Sequence, residues 1–209
     1  KFIFKSSQFG EEKKISRLFS KNYKGNYVDL GCFHPTRLSN TFHLYKKGWK
    51  GFNIDLNPLT IELFNYARPE DTNICAVVSN KKVKKKLYFL GDLDSKNTID
   101  SNHKNWLSKN FKIKKKDFKV KNVLATTLDQ ILDDNKFYKI DFLNVDIEGK
   151  EVDVLNLINF KKFKIKVICV ELLSFDKLSD KRKKQLILYL KKNKFKLVDK
   201  SEINYIFKR

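Results

Sequence analysis

Apolar positions along this chain fall into two patterns. Unbroken short runs suit strands buried on both faces; apolar residues three and four apart suit helices packed on one side. Residues 8–21 carry Phe9, Ile15, Leu18 and Phe19 near helical spacing, with Glu11 and Glu12 in the first turn, and predict a helix. Residues 26–31 (NYVDLG) predict a strand that ends in Asp and Gly. A helix follows over 39–47, capped by Ser39 or Asn40 and stopped by Gly48. Residues 51–56 (GFNIDL) form a second strand, and Asn57-Pro58 opens a helix running to about Ala67, with Asn as cap and Pro in the first turn.

Residues 74–79 read as a third strand and 87–90 as a further extended piece. The stretch 91–118 is polar with no clean period and reads as an insertion or lid, anchored by Trp106 and Phe111. Residues 120–125 are extended and 127–133 a short helix. Then come a strand at 141–146 ending in acids, a helix at 150–158 and an apolar strand at 166–173. A helix follows at 179–192, with Leu186, Ile187 and Leu190 on one face. FKLVDK and NYIFK close the chain as a hairpin. Alternating strands and helices predict an α/β fold: a mostly parallel sheet with helices on both faces and an antiparallel C-terminal hairpin. The 209 residues, without a Gly/Ser linker, predict one domain over 1–209, with residues 1–24 as a helical extension.

Charge changes this picture less than its size suggests. The formal net charge is +21, which invites a nucleic-acid reading. Yet 40 of the 45 basic residues are Lys and five are Arg, whereas base contacts and bidentate phosphate grips favour Arg. Abundant Lys, Asn, Ile and Phe with three Ala match the codon bias of an AT-rich genome. The dense runs 81–86 and 112–116 read as solvated loop or strand edge. No apolar run approaches the ~18 residues of a membrane span, and the opening KFIFK does not read as a secretory leader. Cys32, Cys75 and Cys169 show no paired framework; two sit in apolar strand-like runs and read as small buried residues, and a reducing cytoplasm fits. His34, His43 and His103 form no metal-binding spacing. Trp49 and Phe52 read as core.

In a parallel sheet of this kind the ligand lies beyond the C-terminal strand ends. Those ends carry Asp29 and Gly31, then Asp55, then Asp146, Glu148 and Gly149, then Glu171. A Gly after the first strand permits close backbone approach. Asp55, 24 positions after Gly31, suits a ribose diol, which donates two hydrogen bonds to a carboxylate. Neither GxGxxG nor GxxxxGK[ST] is present, and clustered acids repel a pyrophosphate. A cationic nucleoside without phosphate fits better, and S-adenosylmethionine is such a molecule.

SSQFGEE (6–12), YVDLGCFHPTRLSNTFHLYKKGWKGFNIDLNP (27–58), ATTLDQIL (125–132) and FLNVDIEGKEVDVL (142–155) together resemble the FkbM-type S-adenosylmethionine-dependent methyltransferases, over about residues 6–175. The resemblance implies a class I methyltransferase fold, Rossmann-like, and O-methylation of a hydroxyl on a sugar or related small molecule. By position it implies cofactor contacts from Asp29, Gly31, Ser39, Asn40, Asp55 and Asn57, with Thr41 completing the S-N-T triplet and Asp146, Glu148 and Gly149 the D-x-E-G. The glycine-rich loop of the wider class is reduced to Gly31 alone. Gln8 is implied as a pocket wall.

The candidate catalytic residues are Asp146, Glu148 and His34. One of the acids, or His34, would serve as general base for the acceptor hydroxyl. Alternatively Asp146 and Glu148 would hold a divalent metal with Glu171, or Glu148 would merely cap the following helix. For His34 a structural His-Pro turn is the competing reading, and His103 is a lesser candidate. The alternative function is a Lys-rich Rossmann-like domain that binds RNA or another polyanion, with or without RNA methylation.

Overall fold

The structure is a computed structural model that describes residues 7–174 and 176–209. Residues 1–6, which open the expected N-terminal extension and include Ser6 of the 6–12 motif, lie outside the described residues. The strands in chain order are β1 (Asn26–Leu30), β2 (Lys50–Asp55), β3 (Thr72–Cys75), β4 (Val77–Val78), β5 (Val83–Phe89), β6 (Lys119–Thr126), β7 (Lys139–Val145), β8 (Lys164–Glu171), β9 (Lys196–Ser201) and β10 (Asn204–Lys208). The helices are α1 (Glu11–Ser16), α2 (Phe42–Lys46), α3 (Pro58–Ala67), α4 (Ser101–Asn110), α5 (Leu128–Asp134), α6 (Glu151–Leu155) and α7 (Lys177–Lys192).

Seven strands make the main sheet in the order β3-β2-β1-β7-β8-β10-β9. The first five are parallel, and β10 runs antiparallel to both β8 and β9. The fold class is thus the expected one. The chain builds outward from β1 to β3, then returns to the other side of β1 with β7. That reversal is the topological switch point where α/β sheets bind ligands.

Side chains alternate across the sheet, so each central strand feeds two cores. Val28, Leu30, Leu143, Val145, Ile168 and Val170 join one core, with Leu132, Leu155, Leu186 and Leu190 from α5, α6 and α7. Tyr27, Phe142, Val167 and Cys169 face the other, with Ile15 of α1, Leu44 of α2 and Trp49. Burial on both faces explains why these strands read as unbroken apolar runs. Trp49 and Phe52 are core residues, and Trp49 also donates its indole N–H to the Tyr23 carbonyl at 2.8 Å. Cys32 and Cys169 are buried, and Cys75 is exposed.

The largest difference from the sequence reading is in the middle of the chain. The expected strand 74–79 is two strands in two sheets, because the chain leaves the main sheet at Ala76. A second sheet, ordered β4-β6-β5, contains a seven-residue antiparallel ladder from Val83↔Ala125 to Phe89↔Lys119. The polar stretch 91–118 connects the two strands of that ladder, and it contains α4 and a 3-10 turn at Lys115–Asp117. Helix α4 hides only His103 and Leu107, so it had almost no apolar stripe to reveal it. Asp100 caps it, accepting the amides of Asn102 and His103 at 2.7 and 2.9 Å.

Candidate active site

A cavity of about 320 Å³ opens at the C-terminal ends of β1, β2, β7 and β8, roofed by the 91–118 insertion. Asp29, Gly31, Ser39, Asn40, Asp55, Asn57, Asp146 and Glu148 all line it, as do Gln8 and Glu171. Eight of the nine sequence candidates therefore share one space. His34 is the exception: it lies outside the cavity wall. Its Nδ1 accepts the backbone amides of Thr36 and Arg37, both at 3.1 Å, which is the turn role of a His-Pro corner.

Gly31 lines the cavity and is also constrained from the strand behind it. Its φ is 81°, and a Cβ there would meet the Asp146 carbonyl oxygen at 1.6 Å. The ends of β1 and β7 thus press together at the cavity floor, where Asp146 N also donates to Leu30 O at 2.9 Å.

The β1 side is a finished hydrogen-bond network. Asp29 is buried; it accepts the Thr41 hydroxyl at 2.5 Å and the Asn144 amide at 2.9 Å. Asn40 donates to Asn144 Oδ1 at 3.0 Å. Ser39 Oγ accepts the Phe42 amide at 3.2 Å and Arg68 Nη2 at 2.8 Å. Arg68, fully buried, ties this loop down: it also reaches Thr41 Oγ1 at 2.8 Å and the Pro35 carbonyl through Nε at 2.9 Å. Its guanidinium stacks over Phe64 at 4.8 Å. Burial pushes the Asp29 carboxyl up, and the Thr41 bond and Arg68 charge oppose that push. The sequence reading missed Arg68. The available signal was its type: in a chain that uses Lys 40 times, one of only five Arg marks a place needing a planar fork.

Asp55 ends β2. Its two oxygens accept Phe33 N at 3.1 Å and Asn57 N at 2.8 Å. Burial pushes its carboxyl up to about 6 despite these bonds. Asn57 caps α3, accepting Leu59 N at 3.0 Å. Asp55 lines the cavity, and a carboxylate has about four acceptor sites, so these bonds leave it acceptor capacity.

The β7 side differs. Asp146 and Glu171 are hydrogen-bonded to each other, and both are held above the ordinary carboxyl range. The causes are burial first, then for Asp146 the neighbouring Glu171 and Glu148 charges. One proton between two close carboxyls is the expected state, since both cannot ionise cheaply. Glu148 adopts φ 55°, followed by Gly149 at φ 108°. That kink turns the Glu148 carboxylate onto His103 Nε2 at 3.0 Å. His103 is held above its usual value: burial opposes this, but Glu148, Glu151 and Glu171 outweigh it.

The insertion is fastened to this same loop. Thr98 Oγ1 donates to the Glu148 carbonyl at 2.7 Å, and Lys150 pairs with Asp100. A Cβ on Gly149 would sit 3.0 Å from His103 Cβ, so α4 packs directly on the D-x-E-G turn. Glu148 does not cap the following helix: Lys150 stands at the N-cap of α6 without a side-chain cap bond, and the loop before it is held by Glu151, whose Oε1 accepts the amides of Ile147 and Gly149 at 2.9 and 3.0 Å. Burial pushes Glu151 up to about 7. Among the described residues no group of three or more His, Cys, Asp or Glu is arranged to hold a metal ion. Asp146, Glu148 and Glu171 therefore do not form the ligand set weighed from the sequence.

A family model of the methyltransferase FkbM domain matches residues 23–197. The match starts after the 6–12 motif and continues through α7, beyond the region where the sequence motifs ended. Among solved structures, the chain resembles a methyltransferase FkbM from Methylobacillus flagellatus KT, with 12% identity and TM-score 0.53, covering 97% of this chain and 47% of that one. The chain thus spans about half the length of that relative. A TehB-like SAM-dependent methyltransferase from Corynebacterium glutamicum ATCC 13032 Kitasato gives 13% identity and TM-score 0.46, over 96% of this chain and 88% of that one. The Methanococcus jannaschii fibrillarin pre-rRNA processing protein gives 13% identity and TM-score 0.44, over 90% and 67%. No curated protein matches.

Proposed function

The chain belongs to the FkbM methyltransferase family, and we propose that it moves a methyl group from S-adenosylmethionine to a hydroxyl of a sugar or related small molecule. The observation that carries this reading is the charge of the cavity. A protein of net charge +21 places Asp29, Asp55, Asp146, Glu148 and Glu171 around one space at its switch point. Such walls favour a cation and disfavour a phosphate. The cavity's Lys96 is already paired with Asp94 at 3.2 Å.

The donor, when bound, supplies a methyl group activated on a sulfonium. The chain's own part is then binding, orientation and proton transfer. Asp55 takes the ribose hydroxyls with its remaining acceptor directions. Arg68 holds the 35–41 loop as the wall beside it. The Asp146–Glu171 pair, with its raised proton affinity, takes the proton of the acceptor hydroxyl. Glu148 lines the same space and is the second candidate for that proton. The 91–118 insertion, through Trp106 and Phe111, walls the acceptor side.

Calorimetry on Asp55→Ala tests this reading. S-adenosylmethionine should bind about 10- to 100-fold more weakly, the worth of hydrogen bonds to a charged group, with the circular dichroism spectrum intact. Wild-type affinity should also fall as pH drops through about 6, because a protonated Asp55 cannot accept both hydroxyls. Unchanged affinity in the variant would remove Asp55 from the cofactor site.

A further inference from the structure

The net charge is not spread evenly. Residues 81–126 contain fourteen Lys and no Arg against four acids, so this stretch supplies +10 of the net +21. It comprises β5, the insertion and β6. Directly opposed residues of an antiparallel pair share a face. One face of the β5–β6 ladder therefore shows Lys84 beside Leu124, Lys86 beside Asn122, and Tyr88 beside Val120. Lys104 of α4 adds its ammonium over the Tyr88 ring at 4.9 Å. The opposite face carries the buried Leu87 and Ala125, so the first face points away from the core.

Two properties of this face belong together. Leu124 and Val120 are 62% and 57% exposed, on either side of the central Lys86–Asn122 rung of this face. Neither 81–90 nor 119–126 contains a single Asp or Glu, so the lysines have no carboxylate on their own strands. A soluble polyanion would neutralise the lysines and leave the aliphatic side chains wet. An anionic bilayer satisfies both: aliphatic side chains enter the interface while Lys stems lie along it with their ammonium groups at the headgroups. The insertion that joins β5 to β6 also roofs the cavity, with Phe111, 53% exposed, at its mouth.

We propose that the outer face of the β5–β6 ladder is a peripheral docking surface for an anionic lipid bilayer, and that it sets the cavity mouth beside the membrane. No helix among the described residues is long and apolar enough to cross a membrane, so the contact is interfacial. This inference does not depend on the methyl-transfer reading; it holds or fails on the ribbon alone.

Co-sedimentation with vesicles tests it. The chain should bind vesicles containing phosphatidylcholine and phosphatidylglycerol, not phosphatidylcholine alone, and more weakly in high salt. The double change K84Q and K86Q should weaken partitioning about tenfold or more. K191Q and K192Q, the same charge loss on α7, should change it far less. The double change V120S and L124S should weaken vesicle binding several-fold with no loss of charge. All these positions are exposed, so melting temperatures should stay put. Four results of the vesicle experiments would overturn the proposal. They are no vesicle binding, equal binding to neutral vesicles, ribbon variants no weaker than the α7 control, or vesicle binding untouched by V120S and L124S but displaced by oligouridylate. The last would mark the ribbon as a nucleic-acid or general polyanion site. A stable dimer on gel filtration that V120S and L124S dissociates would also overturn it, by assigning the face to a second copy.

Discussion

Two aspartates stand at the ends of adjacent parallel strands, and the chain treats them in opposite ways. Asp29, next to last in β1, is sealed: Thr41 and Asn144 occupy its oxygens, and the Arg68 guanidinium lies near. Asp146, just past β7, faces Glu171 and Glu148, with like charge as its nearest company. The first carboxylate is spent on holding a wall. The second is kept at a raised proton affinity beside the cavity, which is the condition of a group that exchanges protons. Two aspartates at neighbouring strand ends thus have opposite surroundings, Asp29 in register with Asn144 and Asp146 two residues further along, just past the adjacent strand.

Removing Asp146 should break this contrast most. Asp146→Ala should lower turnover of an accepted hydroxyl compound by about 10²-fold or more, as loss of a general base does, while S-adenosylmethionine binding persists. Full turnover would transfer the proton step to Glu148. Arg68→Ala tests the other aspartate. It strips the fork from Pro35, Ser39 and Thr41 and leaves Asp29 buried without a nearby cation, a loss of about 3–5 kcal/mol. The melting temperature should fall by roughly 10 °C. A drop of a degree or two would mean the β1 wall does not depend on Arg68.

A smaller effect sharpens the Asp146 side. His103 is held above its ordinary 6.5 by Glu148. A raised value in the fold means the stabilisation is full below 6.5 and is lost as pH rises through the folded value. Thermal melts should therefore fall as pH rises through that window. Glu148→Gln should flatten the loss. A wild-type melting curve flat across that window would leave the insertion fastened by Lys150–Asp100 and Thr98 instead.

The parallel core and most of the cavity were legible because their signals are local. Strands buried on both faces must be continuous apolar runs, and acids at strand ends stand next to the residues that end those strands. What escaped was long-range. The change of sheet at Ala76 has no Gly or Pro to announce it, so one apolar run became two strands. Helix α4 needs only His103 and Leu107 inside, and its meaning comes from Gly149, 46 positions beyond His103. Gly31 reads as a ligand-facing glycine, while its second constraint, the carbonyl of Asp146, lies 115 positions away in the chain. His34 looked equally promising by position and turned out to serve its own turn.

This cavity should select a cationic nucleoside over a phosphorylated one. Thermal melting with S-adenosylmethionine and, separately, ATP measures that directly. At a hundredfold excess over the dissociation constant, a single-site ligand adds about 2.7 kcal/mol, which for a chain of this size raises the melting temperature by roughly 5–10 °C. Such a rise is expected with S-adenosylmethionine and none with ATP. A rise with ATP and none with S-adenosylmethionine would contradict it.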